Sequence, residues 1–354
     1  MRYRGILACA LGFAVHASAP AYAQVSQELS VPKDARWKHG PSAIELDPVL
    51  AGLQLYKITS TAPMELDIQA RYEAPDQSTF ATVYIFRPGG GDLAVWFDRA
   101  TASITGSDRW LIASTFESGS FTPPGSELAS GLRAIYALQQ GTYKSTGLAM
   151  LALDGWVAKI RITSSTLNAA ELKALANDFI GQIGWPEGVR KASASSPVAD
   201  CAKPLVFGKP ARPARRSKDN ALANALVSAL MNSPDLEKED GATVRTLVYC
   251  RDSVLGIHGI YRAEGQADGY LLAFGDSGRA AAVQPAMGLL NPSGSKSFSV
   301  SFYGLDQTSH YLDHDRLVPP AQLMDIINKQ QPISSVAKTA SGSSITLNPG
   351  NPKQ

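Results

Sequence analysis

Two apolar runs, "GLAMLAL" and "WVAKIRITSS", meet at Asp154-Gly155 within residues 147–165. An Asp-Gly pair suits a two-residue turn whose central positions both need positive φ, so the runs fold back on each other as an antiparallel hairpin. The neighbouring sequence must then supply further strands and something to cover the hairpin's apolar faces. Period-2 alternation predicts strands at "LQLYKI" (53–58), "MELDIQARY" (64–72) and "FATVYIFR" (80–87), with another near 109–117. Between them, "GGGD" (89–92) ends a strand, and Asp92 is placed to cap a helix carrying Leu93, Trp96, Phe97, Ala100 and Ile104 on one face. A second helix is expected from Ser126, with Leu128, Leu132, Ile135 and Tyr136 as its stripe. A third is expected over 168–183. There Asn168 and Glu171 have capping-box spacing, Leu167 and Leu172 can staple the first turn, and Gly184 marks the stop.

The order of these elements, closing on the 147–165 hairpin and the 168–183 helix that ends in "GQIGWP", is similar to the Mog1/PsbP-like α/β/α sandwich. That resemblance covers about 130 residues and implies an accessory or binding role. It carries over no functional residue, because it rests on element order.

The linker composition of "GWPEGVRKASASSPVADCAKP" (184–204) divides the chain. The expected organisation is a signal peptide (1–23), a first α+β domain (24–186), a linker (187–202), a second α+β domain (203–331) and a disordered tail (332–354). Each domain is expected to be a mostly antiparallel sheet with packed helices. In the second, a helix from Asp219 and strands at 243–251, 255–263, 269–275, 279–284 and 296–304 precede a closing helix over 319–330, which has Pro320 in its first turn.

Export is read from the N-terminus. Arg2 and Arg4 precede the apolar stretch "GILACALGFAVHA", and "AYA" (21–23) places cleavage between Ala23 and Gln24. A lipoprotein anchor at Cys9 would leave no apolar core ahead of it. The stretch is too short to span a bilayer, and no later one approaches the roughly 18 apolar residues a membrane helix needs. A periplasmic or secreted chain without a transmembrane segment is therefore expected. Cleavage removes two arginines, which leaves 31 basic against 31 acidic residues. A neutral surface argues against nucleic acid as a partner, as does the absence of interleaved aromatics in the basic turn "KPARPARRSK" (209–218). The mature chain keeps Cys201 and Cys250. In an oxidising compartment these most simply form one disulfide, a reactive or metal-binding thiol pair being the alternative.

Three stretches invite a chemical reading. "GDSG" (275–278) matches the surroundings of the nucleophilic serine in trypsin-like proteases, with Ser277 in its place, but Arg279 stands where that family has a second glycine. Turn chemistry explains the same letters. "RPGGGD" (87–92) has the glycines of a phosphate-cradling loop without its lysine. "SHYLDHDRL" (309–317) gathers His310, Asp313, His314 and Asp315. Either a metal or a catalytic His–Asp pair would need a further group, and His258 is the histidine to supply it. The plainer reading is a polar connector ahead of the closing helix. The tryptophans, Trp110 among them, read as core.

Two functions follow. One is a non-enzymatic binding or envelope accessory protein, without cofactor, for an unknown envelope protein or small ligand. The other is a periplasmic hydrolase, with or without a divalent metal, that uses residues 310–315 and His258. Sequence leaves both open.

Overall fold

The computed structural model describes residues 26–31, 34–139, 141–214, 247–286, 297–339 and 342–348. The expected signal peptide and the helix expected from Asp219 lie outside them.

Strands β1 (Gln27–Leu29), β2 (Trp37–Lys38), β3 (Glu45–Leu46), β4 (Val49–Leu50), β5 (Leu53–Ser60), β6 (Asp67–Glu73) and β7 (Thr79–Phe86) lead into helix α1 (Leu93–Thr105). The chain returns through β8 (Ile112–Phe121), β9 (Gly131–Leu138), β10 (Ser145–Leu153) and β11 (Trp156–Ser164) to helix α2 (Ala169–Gln182). The first sheet runs β1-β5-β6-β7-β11-β10-β9-β8, with β4 paired to β5 at one edge. Every pairing in it is antiparallel. The hairpin forms as expected, with Asp154 at φ 36° and Gly155 at φ 78°.

Alternate residues of β10 point to opposite faces. Ala149 and Leu151 meet Leu172, Ala176 and Phe179 of α2, whereas Leu148 and Met150 meet Val95, Trp96 and Phe97 of α1. Both helices start on the predicted caps. Val95 N–H donates to Asp92 Oδ1 at 3.0 Å, and the Asn168–Glu171 capping box is complete.

A short helix α3 (Gly188–Lys191) and strand β12 (Ala199–Asp200) lead to a second sheet of β13 (Tyr249–Leu255), β14 (His258–Ala263), β15 (Tyr270–Ala273), β16 (Ala280–Pro285), β17 (Phe298–Tyr303), β18 (Gln307–His310), β19 (Ser334–Thr339) and β20 (Gly342–Leu347). Apart from the parallel β12–β13 pair it is an antiparallel meander. Helix α4 (Pro320–Lys329) covers one face, where Leu323 and Ile326 join Leu272, Val283 and Val300. The other face presents Tyr261, Leu271, Ala273, Ala280 and Ala282 to the cluster that holds α1. The layers therefore run α2, first sheet, α1, second sheet, α4, and α1 is common to both halves.

Three expectations are corrected. Among the described residues strand far outweighs helix, so the fold is two large, mainly antiparallel sheets and the small β2–β3 pair with few helices, more β-rich than an even α+β mixture. The helix expected from Ser126 is instead a turn followed by β9. Both faces of β9 are covered, so Leu132, Ile135 and Tyr136 are apolar without declaring a period, and a short apolar run of that kind reads equally as helix or strand. The polar tail beyond Pro332 forms the β19–β20 hairpin up to Leu347. Its backbone ladder satisfies a Ser-rich composition, and Val336 is buried beneath it.

Candidate functional site

The residues singled out in 309–317 form a buried knot. His310 ends β18 at 3% exposure, Asp313 is at 0% and His314 at 2%. The stretch connects β18 to α4, with these side chains enclosed in the protein. His310 Nδ1 lies 2.9 Å from Ser301 Oγ on β17, and burial pushes the imidazole down to about 4. His314 exchanges two backbone hydrogen bonds of 2.8 Å with Phe298. Its Nδ1 is sealed from solvent and has no hydrogen-bond partner among the described residues, and burial lowers its proton affinity too. Asp315 fastens residues 212–214 to this edge by accepting from the Arg212 amide at 2.9 Å. The Arg316 guanidinium, and after it the Arg212 amide, hold its carboxyl well below the usual range.

His258 does not join them. It sits on β14 with its ring packed against Phe274 at 5.2 Å, four strand spacings or roughly 19 Å across the sheet from β18. Among the described residues no group of three or more His, Cys, Asp or Glu side chains is arranged to hold a metal. Ser277 stays within its turn and donates to Phe274 O at 2.7 Å. The glycines of "RPGGGD" serve close approach. Gly89 N–H donates to Gly278 O at 2.8 Å, and a Cβ on Gly89 would lie 2.6 Å from Tyr303 O. They seat the first half against β17.

A recess of ≈ 250 Å³ beside this contact is lined by Arg87, Asp306 and Thr308. A much larger cleft, ≈ 1130 Å³, opens where the two halves meet. Its walls are the N-terminus of α1, the tip of the β10–β11 hairpin, the connecting segment 188–203 and the rim at 247–250 with Arg262, Glu264 and Gly265. Each wall is held in place. The hairpin tip docks on α3, where a Cβ on Gly188 would collide with the Asp154 carboxylate. Ser195 is tied to the first sheet, its N–H donating to Ala129 O at 3.1 Å and its carbonyl accepting from Ser120 Oγ at 2.6 Å. Cys201 and Cys250 form the expected disulfide, with Cα atoms 4.9 Å apart, and so pin the end of the connecting segment to β13.

Within the cleft, Leu93, Ala94, Trp156 and Val157 provide apolar surface. Burial raises the carboxyl of Asp92 above its ordinary range, against the pull of the α1 amides it caps. Burial also raises Tyr249. Among the described residues the lining mixes this apolar surface with polar groups such as Asp92, Tyr249, Arg262 and Glu264. Sequence reading allowed for binding in a groove between the two parts but named none of its wall residues, because these come from four separate stretches, one of them read as a bare linker. No protein-family model, curated protein or solved structure matches the chain. No helix among the described residues is long and apolar enough to cross a membrane.

Proposed function

We propose that the protein is an exported, non-enzymatic binding protein that takes a small organic ligand in the cleft between its two halves. The observation that carries the reading is the cleft itself. At ≈ 1130 Å³ it has the size of a small-molecule site, and its apolar floor is edged by a few polar groups without a convergent catalytic set. The disulfide supports an oxidising compartment. Hydrolysis by residues 310–315 gains no support from a geometry that leaves His258 on a distant strand.

The test is to incubate the mature protein with a small-molecule extract of the cell envelope and read retained masses by native mass spectrometry. The comparison is Ala194→Trp, a bulky side chain on an exposed wall position of the cleft. Retention by the wild type that the folded variant loses supports the reading. Retention of nothing, or equal retention by both proteins, removes it.

A further inference from the structure

The Cys201–Cys250 bond lies at an edge of the second sheet. Cys250 is the second residue of β13, and Cys201 follows the last residue of β12, the strand at one end of the sheet's order. β12 is two residues long, and both are exposed. Other contacts also join these strands. Ala199 pairs with Cys250 and Asp200 with Arg251 in the parallel ladder. The Cys201 N–H donates to Arg251 O at 2.9 Å, and Arg251 Nη2 lies 2.7 Å from Asp200 Oδ1. The sulfur–sulfur bond can therefore break without the sheet coming apart.

A disulfide enclosed in a core is out of reach of dissolved thiols until the fold opens, because exchange needs a thiolate with access to one of the sulfurs. This bond is not enclosed. Both cysteines are half-buried and both line the ≈ 1130 Å³ cleft, next to the exposed Ala202 and Lys203. A cleft of that volume has room for a small organic molecule such as a tripeptide thiol. Pairing and reactivity, which are alternatives for two cysteines in the bare sequence, are compatible in this setting.

We propose that the Cys201–Cys250 disulfide is a thiol-exchange site, open from the cleft to low-molecular-weight thiols. A thiolate attacks one of the two sulfurs and forms a mixed disulfide with it. The bond between the cysteines breaks, and the other sulfur leaves as a thiolate that takes up a proton from water. The incoming thiol is oxidised to the extent that the leaving cysteine is reduced. A second thiol attacking the mixed disulfide releases the oxidised small-molecule disulfide and leaves two free cysteines. The adduct stands in the cleft, so thiolation and occupation by another molecule exclude each other. The exchange itself needs only the accessible sulfurs, whereas this exclusion rests on the cleft being a binding site.

The probe is reduced glutathione. It is mixed with the oxidised mature chain, free thiols are capped at intervals with excess N-ethylmaleimide, and intact masses are read. A chain carrying one glutathione and one cap is expected first, and a doubly capped chain after it. The same reaction in urea gives the rate for a fully open bond. A native rate within about tenfold of that value supports the site, since exchange then needs no unfolding. A native rate lower than this, or no adduct, overturns it. So does a thiolated chain that has lost its native circular dichroism, because the adduct would then belong to unfolded protein. Thiolated and untreated chains are also compared for masses retained from the envelope extract. Retention by the untreated chain alone supports the exclusion, and equal retention overturns it. If the untreated chain retains nothing, the cleft reading fails by itself and the exchange rate still decides this site.

Discussion

Tyr261 donates its hydroxyl hydrogen to Asp98 Oδ2 at 2.5 Å, joining β14 of the second sheet to α1. Asp98 also accepts from Arg99 Nη2 at 2.8 Å and from Arg251 Nη1 at 2.8 Å, and Arg99 Nε donates to the Tyr261 oxygen. Burial, with Asp98 next in effect, raises the phenol far above its ordinary range, so it acts as a donor at any pH the fold survives. Removing that hydroxyl leaves the Arg99 Nε–H without its acceptor in a buried seam and takes from Asp98 Oδ2 one of its two donors, Arg99 Nη2 remaining. Tyr261→Phe should cost about 1–3 kcal/mol. Asp98→Ala, which leaves Arg99 enclosed without its acid, should cost more, about 3–5 kcal/mol. Urea unfolding of the two variants checks the order, and a larger loss in Tyr261→Phe would contradict it.

Acid should weaken the fold through His310. Its pKa falls from an ordinary 6.5 to about 4 on burial, so below pH 6.5 the unfolded chain binds a proton that the folded chain refuses. Stability is full above about pH 6.5 and declines as pH falls toward 4, by on the order of 3 kcal/mol from this residue. His39 and His314 are lowered by burial as well and act in the same direction. Unfolding curves at pH 7 and pH 5 should differ less in His310→Asn, which keeps a polar group near Ser301 Oγ. An unchanged pH difference in that variant would assign the acid sensitivity to other groups.

Reducing the disulfide should loosen the cleft as well as the chain. Cys201 and Cys250 are 49 positions apart, and freeing a loop of that size costs about 2–4 kcal/mol. Urea midpoints with and without reductant measure the loss. Proteolysis under reducing conditions should begin within 192–203, since the bond pins that segment's end to β13.

Gly89→Ala tests the seat between the halves. The added Cβ would stand 2.6 Å from Tyr303 O and 2.7 Å from Tyr303 Cβ. One side of this contact is backbone and the other the root of a side chain, so neither can swing aside. A loss of about 1–3 kcal/mol is expected, visible as a lower Tm. Gly52→Ala is not a fair control because its φ of 79° is itself strained for alanine, whereas Gly40, outside any helix and with open space around it, is.

Local chemistry was readable along the chain. Asp92, the Asn168–Glu171 box and Asp154-Gly155 each act through neighbours within a few positions, and each forms as the sequence implied. What sequence did not reveal depends on distant partners. Whether 131–138 is helix or strand is decided by β8 and β10 lying on either side of it. The burial of His310 and Asp313 follows from residues 211–214 and β19 closing over that edge. Trp110, in the turn ahead of β8, meets Arg161 of β11 although the two lie 51 positions apart. One signal was present, namely Lys159 and Arg161 on the same side of an otherwise apolar strand.

The placement of α1 bears on how the chain is made. The helix is encoded between β7 and β8, yet the face covered by Tyr261, Leu271 and Ala280 waits for residues more than 150 positions downstream. A chain emerging N-terminus first completes its first sheet while one side of α1 is still bare. Until β14–β16 arrive, that side is a sticky surface open to holdase chaperones and to other nascent copies. Truncation at the connecting segment would leave that side of α1 uncovered for good.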